Sequence, residues 1–106
     1  MGFQIGSALL DACVLSVLSK GDTYGYVLTQ TMKQVMDISE STLYPVLRRL
    51  QKENYLKTYD QAFQGRNRRY YAITSEGKAQ YEVYKRDWII YKKQVDAILC
   101  GGDWDE

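Results

Sequence analysis

A mainly α-helical fold carrying one small β-hairpin, an α+β arrangement, is what this sequence predicts, and three observations predict it. Three short stretches before residue 54 repeat apolar residues at helical spacing. Tyr55 to Ile73 reads as two β-rich runs around a basic turn, and from Thr74 a single helix carries a seven-residue apolar repeat. At 106 residues the chain is one domain by length, with 45% apolar and 25% charged residues, ordinary values for a folded protein. No apolar run approaches the roughly 18 residues of a membrane span. The start, Met1-Gly2-Phe3-Gln4-Ile5, lacks the cationic stretch of a secretory signal, so the cytoplasm is the expected compartment.

The first helix is expected over about Gly6 to Lys20. Leu9, Leu10, Cys13, Val14, Val17 and Leu18 leave Ser7, Asp11, Ser16 and Ser19 as its polar positions. A helix apolar over most of its circumference is covered on more than one side, which predicts packing on its own domain and, through Leu10 and Val14, on a second copy. Gly21-Asp22 ends it, with Asp22 or Thr23 as cap for the next helix. That second helix runs from about Tyr24 to Met36 with Val27, Leu28, Thr31, Met32 and Val35 on one face. Gly25 in its first turn costs about 1 kcal/mol in a helix interior, so close packing there is expected.

Ser39 is a good N-cap for the third helix, in which Leu43, Val46, Leu47 and Leu50 share one face. Ser41, Pro45, Arg48 and Lys52 fall opposite, with Arg49 beside them, and Asn54 suits the left-handed position that ends the helix. Strands follow over Tyr55–Asp60 and Arg68–Ile73, joined by a connection, residues 61–67, longer than a tight turn and expected to be mobile at its tip. The last helix opens at Thr74. Its Tyr81, Tyr84, Trp88, Tyr91, Val95 and Ile98 recur at steps of three and four, an a/d seam that asks for a partner helix. The expected organisation is residues 1–74 as the helix-and-hairpin unit, 75–100 as a dimerisation helix and 101–106 as a short acidic tail that frays.

Enzymatic chemistry finds no support. The chain has no His, no phosphate-cradling Gly-rich loop and no clustered carboxylates. Cys13 and Cys100 are far apart, so neither a zinc site nor any other cofactor is expected. Cys13 reads as a reduced core residue and Cys100 as a free thiol. The charge distribution is more telling than the net +1: residues 41–78 carry eight Lys/Arg against three carboxylates, while both flanking segments are net acidic. Such segregation is the footprint of a nucleic-acid binder.

Three helices followed by a basic hairpin is the order of a winged helix-turn-helix, in which the third helix enters the major groove. Ser41, Thr42 and Tyr44 would bring hydroxyls to that groove, and Pro45, Arg48, Arg49 and Lys52 share the exposed side. Arg is the side chain shaped for the paired acceptors of guanine. Gly65, Arg66, Asn67 and Arg68 on the turn would follow the backbone or enter the minor groove. Taken alone, cations opposite a Leu stripe are more often a plain solvated face; the second basic cluster on the hairpin is what tips the balance. The aromatic stripe around Trp88 is likewise dimer core before it is a ligand site, although aromatics at a two-fold interface can flank a gap that admits flat apolar molecules.

Tyr24-Gly25-Tyr26, the run Thr42-Leu43-Tyr44-Pro45-Val46-Leu47-Arg48-Arg49-Leu50, Gly65-Arg66 with Arg69-Tyr70-Tyr71, and Thr74-Ser75-Glu76-Gly77 together resemble the PadR family of bacterial transcriptional regulators. The short C-terminal helix with Trp88 resembles the compact subfamily that includes the lactococcal multidrug regulator. The resemblance implies a winged-helix homodimer that binds a near-palindromic DNA operator, usually as a repressor, and is released by a small effector; Trp88 would be the effector-stacking residue. Asn54 stands where the family has Gly, and Phe63 is unusual in its wing. Two rival readings are a winged-helix protein adaptor that ignores DNA, and a dimer whose main work is ligand capture.

Overall fold

Particular residues decide where the helices start and stop. The structure is a computed structural model that describes residues 6–101. In chain order it contains α1 (Ser7–Ser19), β1 (Thr23–Tyr24), α2 (Gly25–Lys33), α3 (Glu40–Lys52), β2 (Leu56–Phe63), β3 (Arg66–Ile73) and α4 (Ser75–Cys100). Ser39 caps α3 by accepting from the Thr42 amide at 3.3 Å, and Thr74 caps α4 by accepting from the Gly77 amide at 2.9 Å. Each hydroxyl satisfies one of the N–H groups that a helix start leaves without a partner. Asn54 (φ 68°) and Gly101 (φ 68°) stand in the left-handed region just past α3 and at the end of α4.

The core is a cluster of leucines drawn from every helix but α4. Leu15, Leu18, Leu28, Leu43, Leu47, Leu50 and Leu56 are fully buried beside Val14, each worth about 2 kcal/mol of transfer from water. The apolar face expected of α3 is the buried one: Leu43, Val46, Leu47 and Leu50 all point inward. On α2 the expected face is rotated. Leu28, Thr29 and Met32 are buried, whereas Val27 is at the surface and Val35 lies beyond the helix end, 80% exposed. The helix stops at Lys33, three residues short of the expected end, and Thr29 takes an inward place because its hydroxyl donates to the Gly25 carbonyl at 2.9 Å.

Two further differences concern the sheet. Thr23 and Tyr24 pair with Tyr71 and Tyr70, so the hairpin becomes a three-stranded antiparallel sheet in the order β1-β3-β2. Tyr24 is then the N-cap of α2 with no side-chain bond, in place of the expected Asp22 or Thr23. The hairpin strands are also longer than the sequence suggested. They run in register to Phe63 opposite Arg66, leaving a two-residue turn in which Gln64 (φ 53°) and Gly65 (φ 79°) both adopt positive φ. That is the type I′ geometry whose twist matches the strands; no long connection exists for a mobile tip.

α4 leaves the domain at an angle that only its first turns share with the core. Tyr81 and Tyr84 pack back on α1, with the Tyr81 and Ser16 hydroxyls 3.3 Å apart. Beyond them the 26-residue helix, about 39 Å long, projects outward. A radius of gyration of 16.0 Å, against about 13 Å for a compact chain of this length, records the projection. The expected acidic tail beyond Gly101 lies outside the described residues.

Gly77 is the tightest joint in this arrangement. A Cβ there would fall on the Tyr55 carbonyl oxygen and crowd the Ile73 side chain, so α4 can sit against the sheet only without one. Gly77→Ala is expected to lower unfolding free energy by about 2 kcal/mol, read from urea denaturation; wild-type stability would show that the joint is not close.

Candidate nucleic-acid interface

With its Leu stripe inward, α3 presents Ser41, Thr42, Pro45, Arg48 and Lys52 to solvent. Ser39, Ser41 and Thr42 hydroxyls cluster at its start, 2.9 and 3.1 Å from one another through Ser39. Tyr44 is half-buried and approaches α2, where a Cβ on Gly25 would meet its hydroxyl at 3.1 Å. Gly25 therefore does allow close packing, against the recognition helix itself. On the wing, Gly65, Arg66 and Asn67 are exposed and Arg68 is half-buried.

The arginines of the interface divide by what already holds them. Arg49 is engaged structurally: its two Nη atoms donate to the Asp11 carboxylate at 2.9 and 2.6 Å, and hydrogen bonding to Asp11 holds its pKa above the ordinary arginine value. The Asp11 side chain is only 4% exposed, Arg49 39%. The expectation that Arg49 reads DNA is therefore corrected: a bidentate pair pinning α3 to α1 takes up its donors. Asp11, counted as a polar surface position from sequence, is buried. Arg69 lies 3.8 Å from Asp60 on the open side of the hairpin. Arg48, Arg66 and Lys52 make no ion pair among the described residues.

Between the start of α2, Tyr44 of α3 and the wing runs an open groove of about 430 Å³ lined by Tyr24, Gly25, Tyr26, Tyr44, Asn67, Arg68, Arg69 and Tyr71. Three tyrosine hydroxyls and three wing residues converge there with the uncapped amides of α2. Donors of this kind suit a phosphodiester. Tyr24, Tyr26 and Arg69 were not singled out from sequence as contacts; the signal available was the Tyr-Gly-Tyr spacing around a helix start.

The expected dimer residues separate into two groups. Leu10 and Val14 are buried in the protomer's own core, at 6% and 0% exposure, which corrects their assignment to a partner contact. Tyr81 and Tyr84 are half-buried against α1, and the Tyr84 hydroxyl lies 3.5 Å from Asp11; burial, with the Asp11 charge second, raises its pKa. Val95 is half-buried, while Trp88, Tyr91 and Ile98 stand exposed in a strip with Ile89, Ile90 and Leu99. Trp88 and Tyr91, with Tyr84, Asp87, Leu9, Ala12, Ala8 and Gly6, line a mostly apolar cavity of about 410 Å³ between α1 and α4. Exposed Cys100 and half-buried Cys13 are free thiols, and burial raises the pKa of Cys13, keeping it protonated. Among the described residues no group of His, Cys, Asp or Glu could hold a metal, and no helix is long and apolar enough to cross a membrane.

A helix-turn-helix followed by a basic two-stranded wing defines a winged helix-turn-helix protein. Residues 14–83 match the transcriptional regulator PadR-like family, and the chain belongs to it. Its members are DNA-binding regulators, not enzymes. Smu.1704 from Streptococcus mutans UA159 is 40% identical, with a TM-score of 0.88 over 95% of each chain. A PadR family transcription regulator from Clostridium difficile R20291 is 32% identical (TM-score 0.79, 85% of this chain and 97% of that one). A PadR-like regulator from Bacillus cereus ATCC 14579 is 33% identical (TM-score 0.80, 86% and 91%). The family match ends at residue 83, short of Trp88 and the exposed strip of α4.

Because Asp11 is buried and Arg49 is its partner, Arg49→Ala should cost about 2 kcal/mol of stability, below the figure for a fully buried pair. Arg48→Ala should stay within about 0.5 kcal/mol of wild type. Equal urea midpoints for the two variants would contradict this division of roles.

Proposed function

We propose that the chain acts as a homodimeric, sequence-specific DNA-binding repressor in the cytoplasm, relieved by a flat aromatic effector. The observation that carries the reading is the segregation of surfaces. Ser41, Thr42, Arg48 and Lys52 of α3 and Arg66 and Asn67 of the wing form one exposed cationic side, and the apolar strip of α4 lies on another element altogether. Duplex DNA supplies guanine edges for Arg48 and phosphates for the wing.

Dimerisation is supported by the strip. Trp88, Ile89, Ile90, Tyr91, Ile98 and Leu99 are 40% to 72% exposed in a single protomer, an apolar surface of the kind that marks an interaction site. A two-fold pairing through α4 would hold two α3 helices at the roughly 34 Å spacing of successive major grooves on a near-palindromic site. Trp88 and Tyr91 flank the cavity between α1 and α4, and stacking on their rings favours a planar aromatic molecule. The short α4 supports placement in the compact subfamily.

Arg48→Ala and Arg66→Ala should each weaken binding to a fragment of the upstream region of the protein's own gene by tenfold or so. Arg66→Ala should also reduce the salt slope by about one. Titration of both variants at several salt concentrations decides it, and unchanged affinities would remove these contacts. Ile98→Asp should give a folded monomer by sedimentation; a dimer of that variant would place the interface elsewhere. With Trp104 replaced by Phe, Trp88 fluorescence should quench on addition of planar aromatic dyes, and a flat response across such a panel would remove the effector site.

A further inference from the structure

Phe63 has no evident reason to be on the wing, since it sits at the end of β2 with 40% of its surface in water. The register explains what it does there. Phe63 pairs with Arg66, Gln61 with Arg68, and Tyr24 and Tyr59 both with Tyr70. Tyr24, Phe63, Arg68 and Tyr70 therefore share one face of the sheet, and Arg68 is the diagonal neighbour of both Phe63 and Tyr24. The Arg68 guanidinium carbon lies 4.5 Å from the centre of the Tyr24 ring and 5.8 Å from that of Phe63. The two rings are themselves 6.0 Å apart, and Tyr24 packs edge-on to Tyr70.

Arg68 thus differs from the other arginines around it. Arg49 gives its donors to Asp11, and Arg69 faces Asp60. Arg68 makes no hydrogen bond or ion pair among the described residues, and its Nε is buried without a partner. Contact with ring faces holds a guanidinium by attraction to the π-system and leaves its N–H groups unused. A buried, unpaired donor is costly and calls for an acceptor. Arg68 lines the groove that also holds Tyr24, Tyr26 and Tyr44, where an anionic acceptor could reach it.

We propose that Phe63 is a positioning residue: with Tyr24 it clamps Arg68 so that the free N–H groups of Arg68 meet a backbone phosphate of duplex DNA in the groove between the wing and the start of α2. The proposal rests on the DNA-binding reading. A clamped guanidinium has already lost its rotamer freedom on folding, so less is lost on binding.

The test uses the full-length protein and a duplex of mixed sequence, because a phosphate contact does not read bases. Phe63→Ala should weaken binding about fivefold, and Phe63→Tyr should restore it. In an Arg68→Ala background, Phe63→Ala should have no further effect. Full affinity in Phe63→Ala, or the same loss in both backgrounds, would overturn the proposal, the second because Phe63 would then touch DNA itself. A separate readout keeps the two readings apart. In the free protein the Arg68 Nε–H resonance should be ring-current shifted relative to that of Arg66, and the shift should diminish in Phe63→Ala. An unshifted wild-type signal would sink the clamp whatever the DNA result. A shifted signal without salt-dependent duplex binding would instead sink the DNA-binding reading and, with it, the phosphate contact.

Discussion

The apolar stripe Leu43, Val46, Leu47 and Leu50 has to leave water, and that requirement decides which side of α3 faces outward. Once the four are buried against Leu15, Leu18, Leu28 and Leu56, the helix can present only Ser41, Thr42, Pro45, Arg48 and Lys52. The Asp11–Arg49 pair fixes the same orientation by polar means. A buried carboxylate is expensive without its cation, so α3 is held in the rotation that keeps Arg49 over α1. Packing and pairing thus agree on one face, and the surface offered to DNA is a by-product of both.

That constraint also sorts the cations. A count of arginines treats Arg48, Arg49, Arg66, Arg68 and Arg69 alike, but a guanidinium can serve a ligand only with donors that the fold has left free. Arg49 has none to spare, Arg69 has an acidic neighbour, and Arg68 is held by ring faces alone. The type I′ turn at Gln64-Gly65 matters here, because it carries the strand pairing out to Phe63 and Arg66 and so brings the aromatic rings to Arg68.

α4 divides along its length for a comparable reason. Its first turns are joined to the domain by Gly77 on the Tyr55 carbonyl and by Tyr81 and Tyr84 on α1. The Tyr84 hydroxyl reaches Asp11, so the wall of the apolar cavity touches the residue that pins the recognition helix. Past Trp88 nothing in the protomer covers the helix.

Much of this was legible in the sequence because it depends on local rules. Helix period places the α3 stripe, hydroxyls at Ser39 and Thr74 cap the helices that follow, Asn54 and Gly101 admit positive φ, and charge segregation marks residues 41–78. These follow from neighbours within a turn or two. What the tertiary structure decided depends on groups distant along the chain. Asp11 and Arg49 are 38 residues apart, and no periodicity distinguishes a buried, paired arginine from an exposed one. Thr23-Tyr24 becomes a strand only because β3 offers it an edge. Leu10 and Val14 satisfy a pattern that fits a partner and the protomer's own core equally well, and only the packing of α2 and α3 around α1 assigns them to the core. The heptad steps identified a seam on α4, but whether Tyr81 and Tyr84 face a second copy or α1 depends on where the chain folds back. That is a question of three-dimensional proximity, which spacing along one helix does not contain.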